Sequence, residues 1–175
     1  TMSLNITTFD CSTIGENTIV LTVTDTSGNT ASGNAIVTVE ETTAPTVITK
    51  NITVQLDETG IVSMTTADID NGSTDNCEVE SLVLDITTFD CSTIGENTVV
   101  LTVTDVNGNS TTGEATITVE DNIAPTVITQ NVTVQLDETG TASITVADID
   151  NGSSDNCEVA SMELDLTTFD CTNIG

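Results

Sequence analysis

Alternation of apolar and polar residues predicts short β-strands along most of the chain. In the middle of the sequence, Ile52, Val54 and Leu56 alternate with polar neighbours, which places the apolar side chains on one face of a strand. Val62 resumes the alternation after Asp-Glu-Thr-Gly at 57–60, a stretch typical of a turn. The pattern therefore predicts two successive strands that each bury one face.

Two longer alternating stretches predict a β-hairpin. Asn107-Gly108 lies between them, and both residue types tolerate the positive φ of a tight hairpin turn. The apolar residues expected to meet across the hairpin are Val99, Leu101 and Val103 on one strand and Ala115, Ile117 and Val119 on the other. Six or seven short strands with no helical stretch predict an all-β fold, a small immunoglobulin-like β-sandwich.

The sequence repeats itself at one constant offset without gaps. ITTFDCSTIGENT at 6–18 recurs unchanged at 86–98, and two Ala-Pro pairs mark boundaries because proline cannot continue a strand ladder. We expect a window on a longer array, arranged as an extended rod of tandem repeats. Its domains would be the C-terminal half of one repeat (1–43), a complete repeat (44–123) and the N-terminal half of the next (124–175).

The charge of the chain narrows its possible partners. The 175 residues include 28 Asp and Glu against a single Lys, no His, Trp or Tyr, and a net charge of −27. Nucleic acids and anionic membranes attract basic residues, so neither is expected as a direct partner. No apolar run is long enough for a transmembrane helix, so direct membrane insertion is not expected. No signal peptide is visible, which means little for an internal window of a longer chain. Cations are the natural partners of such a surface.

Five cysteines recur along the chain, at 11, 77, 91, 157 and 171, so that a long separation alternates with a short one. Regular pairs without a Cys-x-x-Cys motif favour structural disulfides in an oxidising, extracellular setting over a zinc site. Closure within a repeat predicts Cys77–Cys91 and Cys157–Cys171, leaving Cys11 to a residue outside the window. A competing scheme joins Cys91 to Cys157 across a repeat boundary.

Strand counting predicts that acidic segments converge at each repeat boundary. If successive strands alternate in direction, the linker before a repeat, the loop at 67–76 and the turn at 105–110 all lie at one pole. The acids and amides expected at the two boundaries are Glu40, Glu41, Asp68, Asp70, Asp75 and Asp105 at the first, and Glu120, Asp121, Asn122, Asp148, Asp150 and Asp155 at the second.

Such a cluster is a candidate calcium site. Ca²⁺ takes six to eight oxygen ligands from carboxylates and carbonyls, and neutralising crowded carboxylates would stiffen the joint between repeats. The turn that begins at Asp105 has the early spacing of an EF-hand loop, but Thr116 stands where the bidentate Glu belongs, so an EF-hand is rejected. Taken alone, that turn is more simply a hairpin held by local side-chain hydrogen bonds.

Four motifs carry a resemblance to a known family: Asp-Asn-Cys at 75–77, Phe-Asp-Cys at 89–91, TVTDVNGN at 102–109 and EDNIAPT at 120–126. With them the whole chain resembles the hyalin-type (HYR-like) immunoglobulin-like repeats of Bacteroidota surface proteins, especially the SprB-type gliding-motility adhesins. The resemblance implies a bacterial cell-surface or secreted filamentous protein used in adhesion or surface movement. In hyalin-type repeats a second Cys often follows the Gly-Asn turn, whereas here Thr111 and Thr112 follow, so the family's disulfide pairing does not carry over.

These observations favour a structural role over catalysis. General acid-base and nucleophilic enzymes usually rely on His, Lys, Tyr or an activated Ser or Cys, and here Lys50 becomes Gln130 in the next repeat. We therefore expect no enzyme, but the stalk of a repetitive extracellular adhesin or filament, with neighbouring repeats as partners. The alternative is a direct adhesive module that binds surface polysaccharide, or other copies of the chain in a laterally assembled fibre.

Overall fold

The computed structural model describes residues 1–173 and consists mainly of β-strands. The strands are β1 (Met2–Leu4), β2 (Gly15–Thr24), β3 (Thr30–Val39), β4 (Ile52–Gln55), β5 (Ile61–Ser63), β6 (Val79–Leu84), β7 (Thr88–Asp90), β8 (Gly95–Asp105), β9 (Ser110–Glu120), β10 (Thr141–Ser143) and β11 (Thr168–Asp170). The helices are α1 (Thr66–Ile69) and α2 (Val146–Ile149), with 3₁₀ turns at Cys11–Thr13, Cys91–Thr93 and Cys171–Asn173.

The longest alternating stretches form the longest strands. β8 and β9 lie side by side in one sheet and form the predicted hairpin. Their inward side chains are the six apolar residues expected there, each at most 2% exposed, so the predicted core of the hairpin is confirmed. Gly108, in the turn between the strands, adopts a φ of 91°.

The middle of the chain forms two small sheets, consistent with the predicted all-β, sandwich-like fold. One sheet has the strand order β4-β9-β8-β6, in which β4 is parallel to β9 and β6 is antiparallel to β8. The other pairs β5 with β7, where Val62 lies opposite Phe89. Phe89, Met64 and Leu56 are buried and belong to the core, as do the hairpin residues.

Two short helices contradict the expectation that the fold contains no helical stretch. Asp68 explains the first, because its Oδ2 accepts hydrogen bonds from the Thr65 N–H at 2.7 Å and the Thr65 hydroxyl at 2.8 Å. Asp148 and Thr145 make the same pair of bonds at the start of α2. A carboxylate at the third helical position thus fixes a single turn that is too short to show a helical period.

The two ends of the chain repeat parts of this architecture. β1, β2 and β3 form a three-stranded sheet, in which β2 and β3 pair from Gly15↔Val39 to Thr24↔Thr30. β10 and β11 pair antiparallel in the register of β5 and β7, with Phe169 opposite Ala142.

Residue contacts divide the chain into two compact units. The first unit comprises Thr1–Lys50, Ile69–Asp85 and Val100–Glu114; the second comprises Asn51–Asp68, Ile86–Val99 and the chain from Ala115 onward. Each unit includes one Ala-Pro boundary of the sequence repeat. The division at 1–43, 44–123 and 124–175, and the rod, remain predictions.

Within residues 1–173, the helices are too short to cross a membrane.

Candidate functional site: disulfide bridges and an acidic cluster

Two disulfide bridges join consecutive sequence repeats. Cys11 pairs with Cys77 and Cys91 pairs with Cys157, each across a separation of 66 residues and across one Ala-Pro boundary. The expected pairs Cys77–Cys91 and Cys157–Cys171 are therefore wrong, and Cys11 finds its partner inside the chain. Cys171 is an exposed free thiol.

Strand geometry explains why the two cysteines of one repeat do not pair. Cys77 belongs to the first compact unit and Cys91 to the second. Between them β6 runs extended over six residues, about 20 Å at roughly 3.3 Å per residue, whereas bridged Cα atoms lie within about 7 Å of each other. Cys77 and Cys91 thus lie on either side of an extended strand and in different compact units.

Each partner in the second bridge is held by an aspartate. The Asp90 carboxylate accepts hydrogen bonds from the Ser92 hydroxyl at 2.6 Å and the Ser92 N–H at 2.9 Å, which fixes the 3₁₀ turn that begins at Cys91. The same two bonds lower the pKa of Asp90. On the other side, Asp155 Oδ2 accepts from the Cys157 N–H at 3.0 Å. Both sulfurs are thus positioned by local polar turns.

A glycine makes room for this bridge. Gly60 adopts a φ of 73°, and a Cβ atom there would lie 2.7 Å from both the Asn156 carbonyl oxygen and the Cys91 sulfur. The turn that contains Gly60 is held by Asp57, whose Oδ1 accepts from the Thr59 N–H at 2.8 Å. Asn156 Nδ2 in turn donates to the Asp57 carbonyl oxygen at 3.2 Å. We call the turn Asp57–Ile61 together with Cys91 the Gly60 seat.

An acidic cluster lies in the first compact unit. Glu41, Asp75 and Asp105 each offer a carboxylate oxygen within 4.8 Å of the others. Two oxygens bound to one Ca²⁺ at about 2.3 to 2.6 Å lie at most roughly 5 Å apart, so this spacing fits a shared ion. Each of the three segments expected to converge at the first boundary contributes one of these residues: the linker, the loop and the hairpin turn.

Asn109 holds two of these acids together. Its Nδ2 donates to Glu41 Oε2 at 2.7 Å and to Asp105 Oδ2 at 2.8 Å. Asp105 Oδ1 also accepts from the N–H groups of Asn107 and Asn109, at 2.9 and 2.8 Å. These bonds are the local turn expected from the sequence, extended by a contact to the linker.

The Asp105 side chain is fully buried, yet its carboxyl group has a lower pKa than usual. Burial acts to raise the pKa of Asp105, because removing a charge from water is unfavourable. The hydrogen bonds from Asn109 and Asn107 outweigh that effect, and the pKa lies below its ordinary value. At neutral pH the cluster therefore contains a buried negative charge.

Asp75 carries a buried oxygen whose hydrogen-bonding capacity is unused. Its Oδ2 accepts from the Cys77 N–H at 2.8 Å, but its Oδ1 is buried and accepts no hydrogen bond from any described residue. The equivalent Asp155 Oδ1 in the next repeat is likewise buried without a donor among residues 1–173. Because buried carboxylate oxygens normally have partners, a cation is a chemically suitable partner at this position.

The second boundary repeats part of this arrangement. Asp121 occupies the position of Glu41 and accepts from Asn156 Nδ2 at 3.1 Å, next to Asp155. Among residues 1–173, no third acid completes a group with these two at metal-ligand spacing.

The other candidate ligands serve local structure. Asp68 and Asp148 each accept hydrogen bonds from the threonine that precedes their helix, as described above. Asp70 and Asp150 accept hydrogen bonds from the N–H groups of Ser73 and Ser153 in their own loops, at 3.0 and 2.9 Å. The side chains and N–H groups of these serines lower the pKa of each aspartate. Glu120 and Asn122 are both bridged by the Gln55 amide, and Glu40 is exposed. The structure places none of these seven in the three-residue acidic cluster.

Two organising residues were not among the sequence candidates. The sequence places Asn109 only in its own turn, although an amide beside two converging acidic segments is a suitable bridge. Gly60 was assigned only to a turn, and its repetition as Gly140 before a Phe-Asp-Cys segment is the signal that could have revealed it.

Comparison with known proteins adds no assignment: no family model and no curated protein matches the chain.

Proposed function

We propose that this chain is part of the structural stalk of a repetitive extracellular adhesin or surface filament, built as an extended rod of immunoglobulin-like repeats. One observation carries the proposal: both disulfides join a repeat to the next one rather than closing within a repeat. A bridge inside a repeat would stabilise that repeat alone. A bridge between repeats ties the array together, which is the requirement of a stalk under tension.

The bridges also shorten the path along which force travels. A pull on the two ends passes from Cys11 to Cys77 and from Cys91 to Cys157 through sulfur, and each time it bypasses the chain between two cysteines with a separation of 66 residues. Between the two bridges, only the short stretch from Cys77 to Cys91 remains in the loaded backbone. Disulfides form and persist in oxidising environments, which agrees with the proposed extracellular location.

Single-molecule pulling tests this load path. We expect the oxidised protein, held at its termini by thiol-free tags in a Cys171→Ala background, to resist full extension. Reduction of each bridge should lengthen the unfolded chain by about 230 Å, from 66 residues at about 3.5 Å each.

The matched control is the Cys91→Ala/Cys157→Ala variant, which retains the Cys11–Cys77 bridge. It should gain one increment of about 230 Å without reductant and a second one with it. A full-length extension of the oxidised parent protein would contradict the mechanical role of the bridges.

We further propose that Ca²⁺ occupies the acidic cluster and stiffens the boundary beside the first bridge. Glu41, Asp75 and Asp105 would supply carboxylate ligands, and the unused Asp75 oxygen supports this assignment. Asp75 also accepts the N–H of Cys77, so an ion there would steady the residue that carries the bridge. Calcium at a boundary would neutralise charge that otherwise drives the segments apart.

Calcium should stabilise the protein through this cluster. For a dissociation constant of about 0.1 to 1 mM, typical of extracellular modules, about 10 mM Ca²⁺ should raise the free energy of unfolding by about 1.4 to 2.7 kcal/mol. Asp105→Asn should abolish the gain, because it removes the central charge of the cluster. Chemical denaturation with calcium and with chelator measures both.

Asp25→Asn is the matched control for Asp105→Asn. Asp25 makes the same turn bonds, from Ser27 N–H, Asn29 N–H and Asn29 Nδ2, but lies outside the acidic cluster. This variant should keep the calcium response. Because added salt also screens a charge of −27, NaCl at equal ionic strength is included. An equal response to NaCl would reject the calcium site.

A further inference from the structure

Cys171 lies in a second copy of the Gly60 seat. β10 and β11 pair Thr141 with Asp170, as β5 and β7 pair Ile61 with Asp90. In both copies the 3₁₀ turn that begins at the cysteine follows directly after the second strand. The sheet that presents Cys91 to its partner is thus already formed around Cys171.

The glycine turn beside Cys171 matches its counterpart in detail. Asp137 Oδ1 accepts from the Thr139 N–H at 2.8 Å and its hydroxyl at 2.7 Å, as Asp57 does with Thr59. Gly140 has a φ of 75° against 73° at Gly60. The Cys171 sulfur lies 3.9 Å from the Gly140 carbonyl oxygen, and the Cys91 sulfur lies 3.6 Å from that of Gly60.

The first copy shows what such a seat accepts. At Gly60 the seat holds the backbone of Asn156, whose carbonyl oxygen lies 3.6 Å from the Cys91 sulfur. The Asn156 side chain donates to the turn, and Cys157 closes the bridge. The recognised segment is therefore Asp-Asn-Cys, with recognition by close backbone packing on glycine and one amide hydrogen bond. The Cys11 sulfur likewise lies 3.6 Å from the Asn76 carbonyl oxygen, beside Cys77.

We propose that Gly140 and Cys171 form the receiving half of a further bridge, for an Asp-Asn-Cys segment in a following repeat, at the same separation of 66 residues that both existing bridges span. A second copy of this chain fits less well, because its Asp-Asn-Cys segments at 75–77 and 155–157 are already bridged. The receiving half rests on the bridge geometry, and the incoming segment rests on the proposed array of repeats.

Bridge formation is a thiol–disulfide exchange. The thiolate of the incoming cysteine first attacks oxidised glutathione and breaks its S–S bond, which forms a mixed disulfide and releases one glutathione thiolate, while the thiol proton passes to water. The Cys171 thiolate then attacks that cysteine's sulfur, forming the protein disulfide and expelling glutathione thiolate. The proton that leaves Cys171 passes to water, and the oxidised glutathione accepts both electrons.

The test extends the protein by one repeat. Residues 1–175 are followed directly by a copy of residues 96–175, since Gly175 stands where Gly95 stands in the repeat. The protein is equilibrated with reduced and oxidised glutathione, alkylated, and mapped unreduced by mass spectrometry. We expect Cys171 joined to the appended copy of Cys157. Cys171 left as a thiol or glutathione adduct, joined to the appended copy of itself, or bridged between molecules would overturn the proposal.

Gly140→Ala tests the glycine turn while keeping Cys171 in the chain, although the new Cβ would lie 3.2 Å from the Cys171 sulfur. At Gly60 the corresponding Cβ would meet the incoming carbonyl oxygen at 2.7 Å, so alanine at Gly140 should obstruct the segment. We expect the ratio of bridge to glutathione adduct at Cys171 to fall roughly tenfold or more.

Gly152→Ala is the control, because Gly152 also has a positive φ of 93° but has nothing within 4 Å of its Cβ position. It should leave the ratio at Cys171 unchanged. The Cys91–Cys157 bridge in the same map reports whether each variant has folded. A Gly140→Ala protein that keeps that bridge and forms the Cys171 bridge as fully as the parent protein would refute the role of the seat.

Discussion

Replacing Cys91 and Cys157 together by alanine is expected to lower the free energy of unfolding by about 4 kcal/mol. The bridge closes a loop with a separation of 66 residues. Closing a loop of that length lowers the conformational entropy of the unfolded chain, which destabilises the unfolded state by about 4 kcal/mol. Both cysteines are replaced so that neither leaves an unpaired thiol. A loss of this size is a large part of the stability of an ordinary small domain.

Guanidinium denaturation followed by far-ultraviolet circular dichroism measures the change, since the protein has no Trp or Tyr for fluorescence. The comparison uses a Cys171→Ala background to prevent exchange with the exposed thiol. Cys171→Ala alone should change the stability by no more than about 0.5 kcal/mol. A double variant as stable as this background would show that the bridge does not constrain the unfolded chain.

Phe89→Ala is expected to cost about 3 to 5 kcal/mol, the usual cost of removing a fully buried aromatic side chain. Phe89 is 3% exposed and is the one buried aromatic residue among residues 1–173, because Phe9 and Phe169 are less enclosed. The cavity left by alanine would lie beside Val62, the residue opposite Phe89 in the pairing of β5 with β7.

Phe9 provides a control in the same local sequence, Thr-Thr-Phe-Asp-Cys. It is 38% exposed, so Phe9→Ala should cost less than about 1 kcal/mol in the same denaturation experiment. Equal losses at the two positions would mean that burial at Phe89 does not contribute the expected stability.

The sequence pattern was most informative where many residues shared one periodicity. Val99 to Val103 and Ala115 to Val119 alternate over long strands, and their burial follows directly from that alternation. The single-turn helices escaped the same reasoning because one turn of helix cannot establish a helical period. Their signal was local: a Thr followed three residues later by Asp, as at Thr65 and Asp68.

The disulfide pairing could not be derived from spacing. A repeating array allows either the short or the long separation to recur indefinitely, so the sequence is equally regular under both schemes. The choice between the two pairing schemes depends on the folded chain, in which the extended strand β6 lies between Cys77 and Cys91. The Gly60 turn, which only glycine fits, favours the longer separation because it makes room for Asn156 beside Cys91.

Only some of the predicted acidic residues meet in one cluster, and the folded structure again decides which ones. Counting strand directions brought one residue from each predicted segment together, at Glu41, Asp75 and Asp105. Strand directions do not predict that the carboxylates of Asp70 and Asp150 accept hydrogen bonds from N–H groups of their own loops. Local hydrogen bonding competes with ligand binding for the same oxygen atoms.

The long loops closed by the bridges also change what a protease can do to this protein. The single basic residue, Lys50, lies between Cys11 and Cys77, so cleavage there leaves two fragments still joined through sulfur. The same holds for a cut anywhere between Cys91 and Cys157. Between the first bridge and the second, only a cut in the short stretch from Cys77 to Cys91 separates the molecule into two parts. A single cut inside either loop therefore leaves all fragments covalently joined.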